Sequence, residues 1–503
     1  MENGGDVNVP LNITGTLSRI ATEFPDAPAI LDLKSSISYR ELEQAVIWTA
    51  RSFASEGLAA RDIVALDLPD QHQHLISSLA LARIGVAQIA FCKADSPLLR
   101  KQFAKRLKIA AIVCDKDRCT DAAAPVIEPP FRDVCDLKAL KAVPSDGAED
   151  AAHPLLILRT SGTSTGIPKL GVLTHAAARP RIEAKGFMLP EGQACRYLSL
   201  GDLSLNSVKI RAFHCVLSGS CLVLHRGRLR PQAIVDLIAA RRVNYLSCSP
   251  SQASSLLELG GRGQVLFPEL KALRLGSAFV AQPLREKILR HLTPNLFIAY
   301  GMTEVGTVSI APPAMVRNIA GVVGNLVPGI CAEVVDEDGI TSPPLHAGRL
   351  RIKGPGMVNG YVDTSEESRR VFHDGWFYSD DRVEFTQEGE LIHHGRMDDM
   401  MIFDGINISP AEIENALLSH PAVSDAAVFA VGDDMNGDVP IAAVVTRSTV
   451  LAGKLLSYCQ SQLGAHAPHT VFIIPGVPRN AAGKVLKREL EKMYLERYGP
   501  VYR

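Results

Sequence analysis

Pro154-Leu155-Leu156-Ile157-Leu158-Arg159-Thr160-Ser161-Gly162-Thr163-Ser164-Thr165-Gly166-Ile167-Pro168-Lys169 is the stretch on which the reading of this chain turns. Its first five residues form an apolar run of strand length. The eleven from Arg159 to Lys169 hold five hydroxyl side chains, two glycines and a lysine. Glycines let the backbone curl so that several N–H groups converge on one anion. Hydroxyls add donors, and a lysine ammonium suits a polyphosphate. The spacing G-x-x-x-x-G-K-[ST] is absent, so this is not a Walker loop, and a flexible Ser/Thr/Gly linker has a similar composition.

Upstream the same alternation of strand and helix recurs. Tyr39-Arg40-Glu41-Leu42 opens an amphipathic helix to about Phe53, Asp62-Ile63-Val64-Ala65-Leu66 reads as a buried strand, and Leu75 to Ile84 as a second helix. Val86 to Phe91 is another strand after the helix-ending Gly85. Downstream, Cys221 to Leu224 and Leu296 to Ala299 are further strands. This pattern predicts βαβ units and a largely parallel sheet. After about Gly321 short strands with frequent Gly and Pro, such as Gly348 to Gly354, predict an antiparallel β subdomain. From about Asp398 a compact α+β segment is expected. Its helix would begin near Ser409-Pro410, with Ser409 as the cap, Pro410 at the first helical position and Glu412 at the positive end of the dipole. The fold class is therefore α/β: a large N-terminal domain of βαβ-layered subdomains with a β subdomain, then a small C-terminal α+β lid.

Composition narrows the function. The chain has 503 residues, 53 Lys or Arg against 54 Asp or Glu, and a formal net charge of −1. That balance argues against a protein that works by coating nucleic acid. No apolar run reaches transmembrane length, and Met1 to Asp6 lacks the basic and apolar segments of a secretory signal. Ten cysteines without a C-x-x-C pair fit reduced thiols and a cytoplasmic location. The balance hides a local bias. Residues 471–503 carry seven Lys or Arg against three Glu.

Four more signals follow the loop in order. They are Tyr300-Gly301-Met302-Thr303-Glu304, Gly375-Trp376-Phe377-Tyr378-Ser379-Asp380-Asp381, Gly395-Arg396-Met397-Asp398-Asp399 and Pro478-Arg479-Asn480-Ala481-Ala482-Gly483-Lys484. With the loop at 160–169 and His175 at the end of its extended motif, they make the chain resemble the adenylate-forming enzymes. That superfamily includes acyl- and aryl-CoA synthetases, peptide-synthetase adenylation domains and luciferases. The matches span residues 160 to 484, and the N-terminal third fits by layout.

The resemblance implies a nucleotide site built from Thr160, Ser161, Gly162, Thr163, Ser164, Thr165, Gly166 and Lys169 at the phosphates. Gly276, Ser277 and Ala278 would form a pocket wall, and Tyr300 and Gly301 would lie beside the adenine. Thr303 would sit near the α-phosphate. Glu304 would hold Mg2+, a hard cation that prefers carboxylate oxygen. Asp381 would accept both ribose hydroxyls, and Arg396, permanently charged, would contact ribose or phosphate. Lys484 would neutralise the charge that develops as a carboxylate attacks the α-phosphate. Asp398 stands at the hinge position, which implies residues 1–396 as the large ATP- and acid-binding domain and 397–503 as a small mobile domain carrying Lys484. Taken singly, each residue has a plainer reading: Glu304 as a loop carboxylate, Asp381 as a turn residue, Lys484 as a surface charge.

The expected cofactors are ATP and Mg2+, with coenzyme A as co-substrate. The expected partners are a small carboxylic acid and the thiol of coenzyme A or of a carrier protein. With no appended carrier domain in view, a stand-alone ligase is expected, of open oligomeric state. A free-standing adenylation enzyme for a separate carrier protein is the alternative, and a nucleotide-binding protein without catalysis a third reading.

Four departures from the family pattern stand out, the last of them bearing on specificity. The loop is one residue longer than usual and Leu170 follows Pro168-Lys169 where Gly is typical; Asp380 also replaces a usual Gly. The family's aromatic acid-pocket run is absent, and Leu200 to Lys209 stands in its place. There Asp202 or Asn206 could meet a substrate amine or could begin an amphipathic helix. His393 and His394, adjacent in a strand, would face opposite sides and share no metal. Arg226, Arg228 and Arg230 read as a solvated basic loop that could also meet phosphates of coenzyme A.

Overall fold

The computed structural model describes residues 12–93, 95–115, 124–131, 151–160, 168–188, 192–260, 264–336, 339–362, 365–403, 406–433, 437–480 and 483–499. Strands of two to ten residues, alternating with helices in the parallel regions, build two sheets in the larger part of the chain. One runs in the order 126–127, 111–114, 63–67, 87–90, 154–159, 170–174. All its pairings are parallel except the last, where Leu170–Thr174 folds back antiparallel on Pro154–Arg159.

The second sheet is longer. Its half made of the strands at 28–31, 221–223, 196–199, 245–248, 272–276 and 296–302 is parallel. It becomes antiparallel at the hairpin between Leu296–Met302 and Gly306–Ala311 and continues so through 322–326, 391–396, 376–385, 348–353 and 331–335. The antiparallel part therefore begins one hairpin earlier than the texture change at Gly321 suggests. That hairpin turns on Thr303-Glu304-Val305.

The helices Gln71–Arg83 and Asn206–Leu217 pack against both sheets, and their apolar residues form one core with Ile30, Leu155, Tyr197 and Leu222. The helix Gln71–Arg83 is buried along its whole length. It starts a turn before the expected Leu75 because Asp70 accepts the backbone N–H groups of His72 and Gln73. Its polar first turn is paid for by bonds: Gln73 Nε2 donates to the Phe131 carbonyl at 3.0 Å, and His74 Nδ1 lies 3.2 Å from that of Leu68. Burial also drives the His74 ring well below its ordinary pKa, with the charge of Lys209 acting the same way.

From Met401 onward the chain builds a third sheet with the order 406–408, 401–403, 437–446, 423–433, and with 470–473 paired parallel to 437–446. It has its own apolar clusters on each face, one around Ile413, Leu455 and Val471, the other around Phe429, Phe472 and Tyr494. The helix Pro410–Ser419 begins as expected, but the Ser409 side chain makes no capping bond. Among the described cysteines Cys114 is disulfide-bonded and the others are free, so the expectation of reduced thiols fails at that residue. No helix among the described residues is long and apolar enough to cross a membrane.

Candidate active site

The two sheets are joined where Gly171 pairs with Tyr361 and where Arg181 reaches the Thr303–Glu304 turn, and the region around that junction is the candidate cleft. The strand Pro154–Arg159 leads to the Ser/Thr/Gly loop, whose base is closed by Thr160 N donating to the Lys169 carbonyl at 2.9 Å. Ser161, Gly162, Thr163, Ser164, Thr165 and Gly166 lie outside the described residues. Lys169 reaches over the ring of Tyr361, 5.1 Å from its centroid. His175 is buried at the start of the helix His175–Glu183, where Nδ1 accepts the N–H of Ile13 at 3.3 Å, a packing contact.

The hairpin after Leu296–Met302 carries the next group. Gly301 is required there: a Cβ at this position would stand 2.2 Å from the Gly306 carbonyl oxygen. Arg181 fixes the turn from behind. Its guanidinium donates to the carbonyls of Thr303 at 2.8 Å, Glu304 at 2.7 Å and Gly356 at 2.6 Å. Burial lowers its pKa to about 10, partly opposed by the Glu304 charge. The Glu304 carboxylate is itself buried and accepts the Tyr361 hydroxyl at 2.7 Å. Neither Arg181 nor Tyr361 has a local sequence signal, because each is defined by a partner more than fifty residues away.

Tyr300 lies beside the strands Trp376–Phe385 and Leu391–Arg396. Its hydroxyl donates to Asp381 Oδ2, and its ring packs against His393 with centroids 5.3 Å apart. Burial pushes the Asp381 carboxyl up, but His393, Tyr300 and Arg396 outweigh it and hold the group below the usual carboxylate range. Arg396 Nη1 is 3.5 Å from Asp381 Oδ1, while its Nε and Nη2 grip both oxygens of Asp398 at 2.7 and 2.6 Å. Asp380 is paired with Arg349 at 3.2 Å and faces Arg396 Nη2 at 3.7 Å. His393 and His394 do diverge: the first faces Asp381, the second lies 3.4 Å from Glu384. No cluster of three His, Cys, Asp or Glu is present among the described residues.

Lys484 sits on a tight turn of the smaller part, held by Asn480 N donating to the Lys484 carbonyl at 2.9 Å and by Arg479 donating to the Gly483 carbonyl at 3.1 Å. Burial and the Arg396 charge lower the Lys484 pKa, against the pull of Asp399 and Asp398. Gly483 abuts the large part: a Cβ there would be 3.1 Å from Ser249 Cβ. The basic turn thus faces the Arg396 side of the cleft.

Gly276 and Ala299 are register partners on adjacent strands, and Ser277 follows with φ +70°. Ala278 is next in the chain and half-buried. Behind Ala299 lies a cavity lined by this residue and by Lys185, Tyr197, Arg211, Arg274 and Thr307, among others. Asp202 and Asn206 do not line it. Asp202 accepts Gln71 Nε2 at 3.1 Å, and Asn206 Nδ2 donates to the Arg159 carbonyl at 3.3 Å. Arg226 is exposed and lies 3.5 Å from Asp70.

Residues 17–362 match the family described as AMP-binding enzyme, and residues 412–484 match the AMP-binding enzyme C-terminal domain. This chain belongs to the AMP-binding enzyme family. As such it is similar to 2-succinylbenzoate–CoA ligase of Bacillus cereus, with 27% identity over 496 residues that cover 94% of this chain and 96% of the relative. It is 27% identical to indoleacetate–CoA ligase of Aromatoleum aromaticum, with 96% and 98% covered. Among solved structures, O-succinylbenzoate coenzyme A synthetase from Bacillus subtilis in complex with ATP and magnesium ion matches with a TM-score of 0.83. The identity there is 25%, covering 95% of this chain and 99% of that one. In this AMP-binding enzyme the two matched regions meet at the turn of Lys484.

Proposed function

We propose that this chain is an AMP-forming acid–thiol ligase: it joins a carboxylic acid to ATP as an acyl-adenylate and passes the acyl group to coenzyme A. The observation that carries the reading is one cleft in which Tyr300, Asp381 and Arg396 form a contiguous polar cluster, with Lys484 brought within electrostatic reach by the smaller part. In the first step a carboxylate oxygen attacks the α-phosphorus and pyrophosphate leaves. In the second the thiolate sulfur attacks the acyl carbon and AMP leaves with the bonding electrons.

Each residue has a task suited to its surroundings. Asp381, kept ionised, accepts the ribose hydroxyls, and Tyr300 flanks the base. Thr303 reaches the α-phosphate, and Lys484 offsets the charge that builds as two anions meet. Gly276, Ser277, Ala278 and Gly301 leave room for the flat base, while Thr160, Ser161, Gly162, Thr163, Ser164, Thr165, Gly166 and Lys169 receive the phosphates. Glu304 is a single buried carboxylate, which suits a Mg2+ ion that takes most of its ligands from phosphate and water. Bound there, the metal would screen the triphosphate charge.

The domain division at 396/397, with Asp398 as hinge, would let Lys484 leave once the adenylate has formed and a thiol enter. Curated relatives named as CoA ligases favour coenzyme A over a carrier-protein thiol as acceptor. A cytoplasmic location suits both co-substrates.

The test is pyrophosphate release with ATP and Mg2+ across a panel of acids that includes 2-succinylbenzoate and indoleacetate. Coenzyme A or a carrier protein is then added to the preformed adenylate. Acid-dependent release followed by coenzyme A consumption is expected. Silence across the panel would instead favour nucleotide binding without catalysis.

A further inference from the structure

The cavity behind Ala299 gathers three basic side chains and, among the described residues, no acidic one. Lys185 Nζ donates to the Thr307 hydroxyl, Arg211 Nε to the Tyr197 hydroxyl at 2.9 Å, and Arg274 Nη1 to the Ser247 hydroxyl at 3.4 Å. Every one of these acceptors is neutral, and no carboxylate pairs with the three among the described residues. Arg211 is buried and Lys185 and Arg274 are half-buried, so the set is costly: ions withdrawn from water lose hydration, and like charges repel in a low dielectric. The strain is visible in the groups themselves. Burial first, then Arg211, Arg274 and Arg181, push Lys185 well below its ordinary pKa, and burial with Arg211 brings Arg274 down to about 9.

Geometry keeps the cations in place. The Arg274 guanidinium lies across Gly276, where a Cβ would meet Nη2 at 2.8 Å and the Ala299 carbonyl at 2.5 Å. Lys185 stands one helical turn beyond Arg181, so it faces Thr307 while Arg181 faces Thr303 and Glu304. The cluster therefore lies on the Thr307 side of the hairpin, apart from the Thr303–Glu304 turn that Arg181 holds.

The reacting carboxylate is a poor occupant for this set. Its charge disappears when the mixed anhydride forms, so cations bound to it would stabilise the ground state more than the transition state. An anion that survives the reaction suits them. Resting on the acid-activating reading above, we infer that the acid this enzyme activates carries a second, non-reacting anionic group, in the simplest case a dicarboxylic acid. Lys185, Arg211 and Arg274 hold that distal group in the cavity while the other carboxylate faces the α-phosphate.

The experiment compares dicarboxylic acids with the same acids whose distal carboxyl is a methyl ester, by acid-dependent pyrophosphate release from the full chain with ATP and Mg2+. Dicarboxylates should exceed their monoesters by at least about 100-fold in kcat/KM, as expected where a ligand's absence strands buried polar groups. In Lys185→Met, with Arg274→Met as the second variant should the first fail to fold, that preference should fall to within a few-fold. The loss should lie mainly in KM for the acid, and the thermal shift given by ATP should persist. Monoacids or esters turned over as well as the dicarboxylates overturn this inference and leave acid activation standing. A preference that survives in both folded variants overturns the assignment of the cations. Release with no acid of either kind overturns the acid-activating reading and this one with it.

Discussion

Glu304 and Tyr361 show what a single hydrogen bond does in this cleft. The hydroxyl of Tyr361 donates to the carboxylate at 2.7 Å, and its ring supports Lys169 on one side and Phe372 on the other. Tyr361→Phe keeps the ring and removes the donor. A bond to a charged acceptor is worth about 1.5–3 kcal/mol, so the carboxylate proposed to hold the metal would lose its orientation while the fold is kept. We expect the Mg2+ concentration for half-maximal pyrophosphate release to rise by roughly 10-fold or more, measured by Mg2+ titration at saturating ATP. An unchanged titration would separate Tyr361 from metal binding. The motif Tyr300 to Glu304 was legible because its chemistry fixes residue types at fixed spacing. Tyr361 and Arg181 were not, since their partners are remote and, for Arg181, are backbone carbonyls that carry no residue identity.

At the scale of the element, the helix Pro410–Ser419 carries a second titrating group. Glu414 lies against the strand Val423–Asp433, accepting the Val428 N–H at 3.0 Å. Burial raises its pKa from 4.5 to about 7, against the pull of that bond and of Lys487 and Arg479. A folded-state pKa above the unfolded value means that this group contributes most below about pH 4.5 and loses its contribution as pH rises through 7. The smaller part should thus weaken between pH 5 and pH 8. Glu414→Gln should flatten that slope, with a higher Tm than the parent at pH 8 and little difference at pH 5, read by thermal melts at both values. Equal slopes in parent and variant would place the titration elsewhere. The helix itself was readable from Pro410 and Glu412. The missing Ser409 cap was not, because a side-chain rotamer depends on its surroundings and not on residue type alone.

The whole molecule brings Lys484 to the cleft through the contact of Gly483 with Ser249. If the smaller part turns between steps, Lys484→Ala should lower adenylate formation by at least about 100-fold, the scale of losing a positioned charge at a transition state. Thioester formation from a supplied adenylate should stay within a few-fold of the parent. Half-reaction assays with purified adenylate check this, and an equal loss in both steps would refute alternation. The sequence by itself determined the α/β class, the order of the motifs and the basic bias near Lys484, since alternating apolar runs and phosphate chemistry are written in contiguous residues. Tertiary structure alone decided what lies behind Ala299. Lys185, Arg211, Arg274 and Thr307 come from separate elements, and only packing them around one cavity turns scattered polar residues into a cluster of basic side chains.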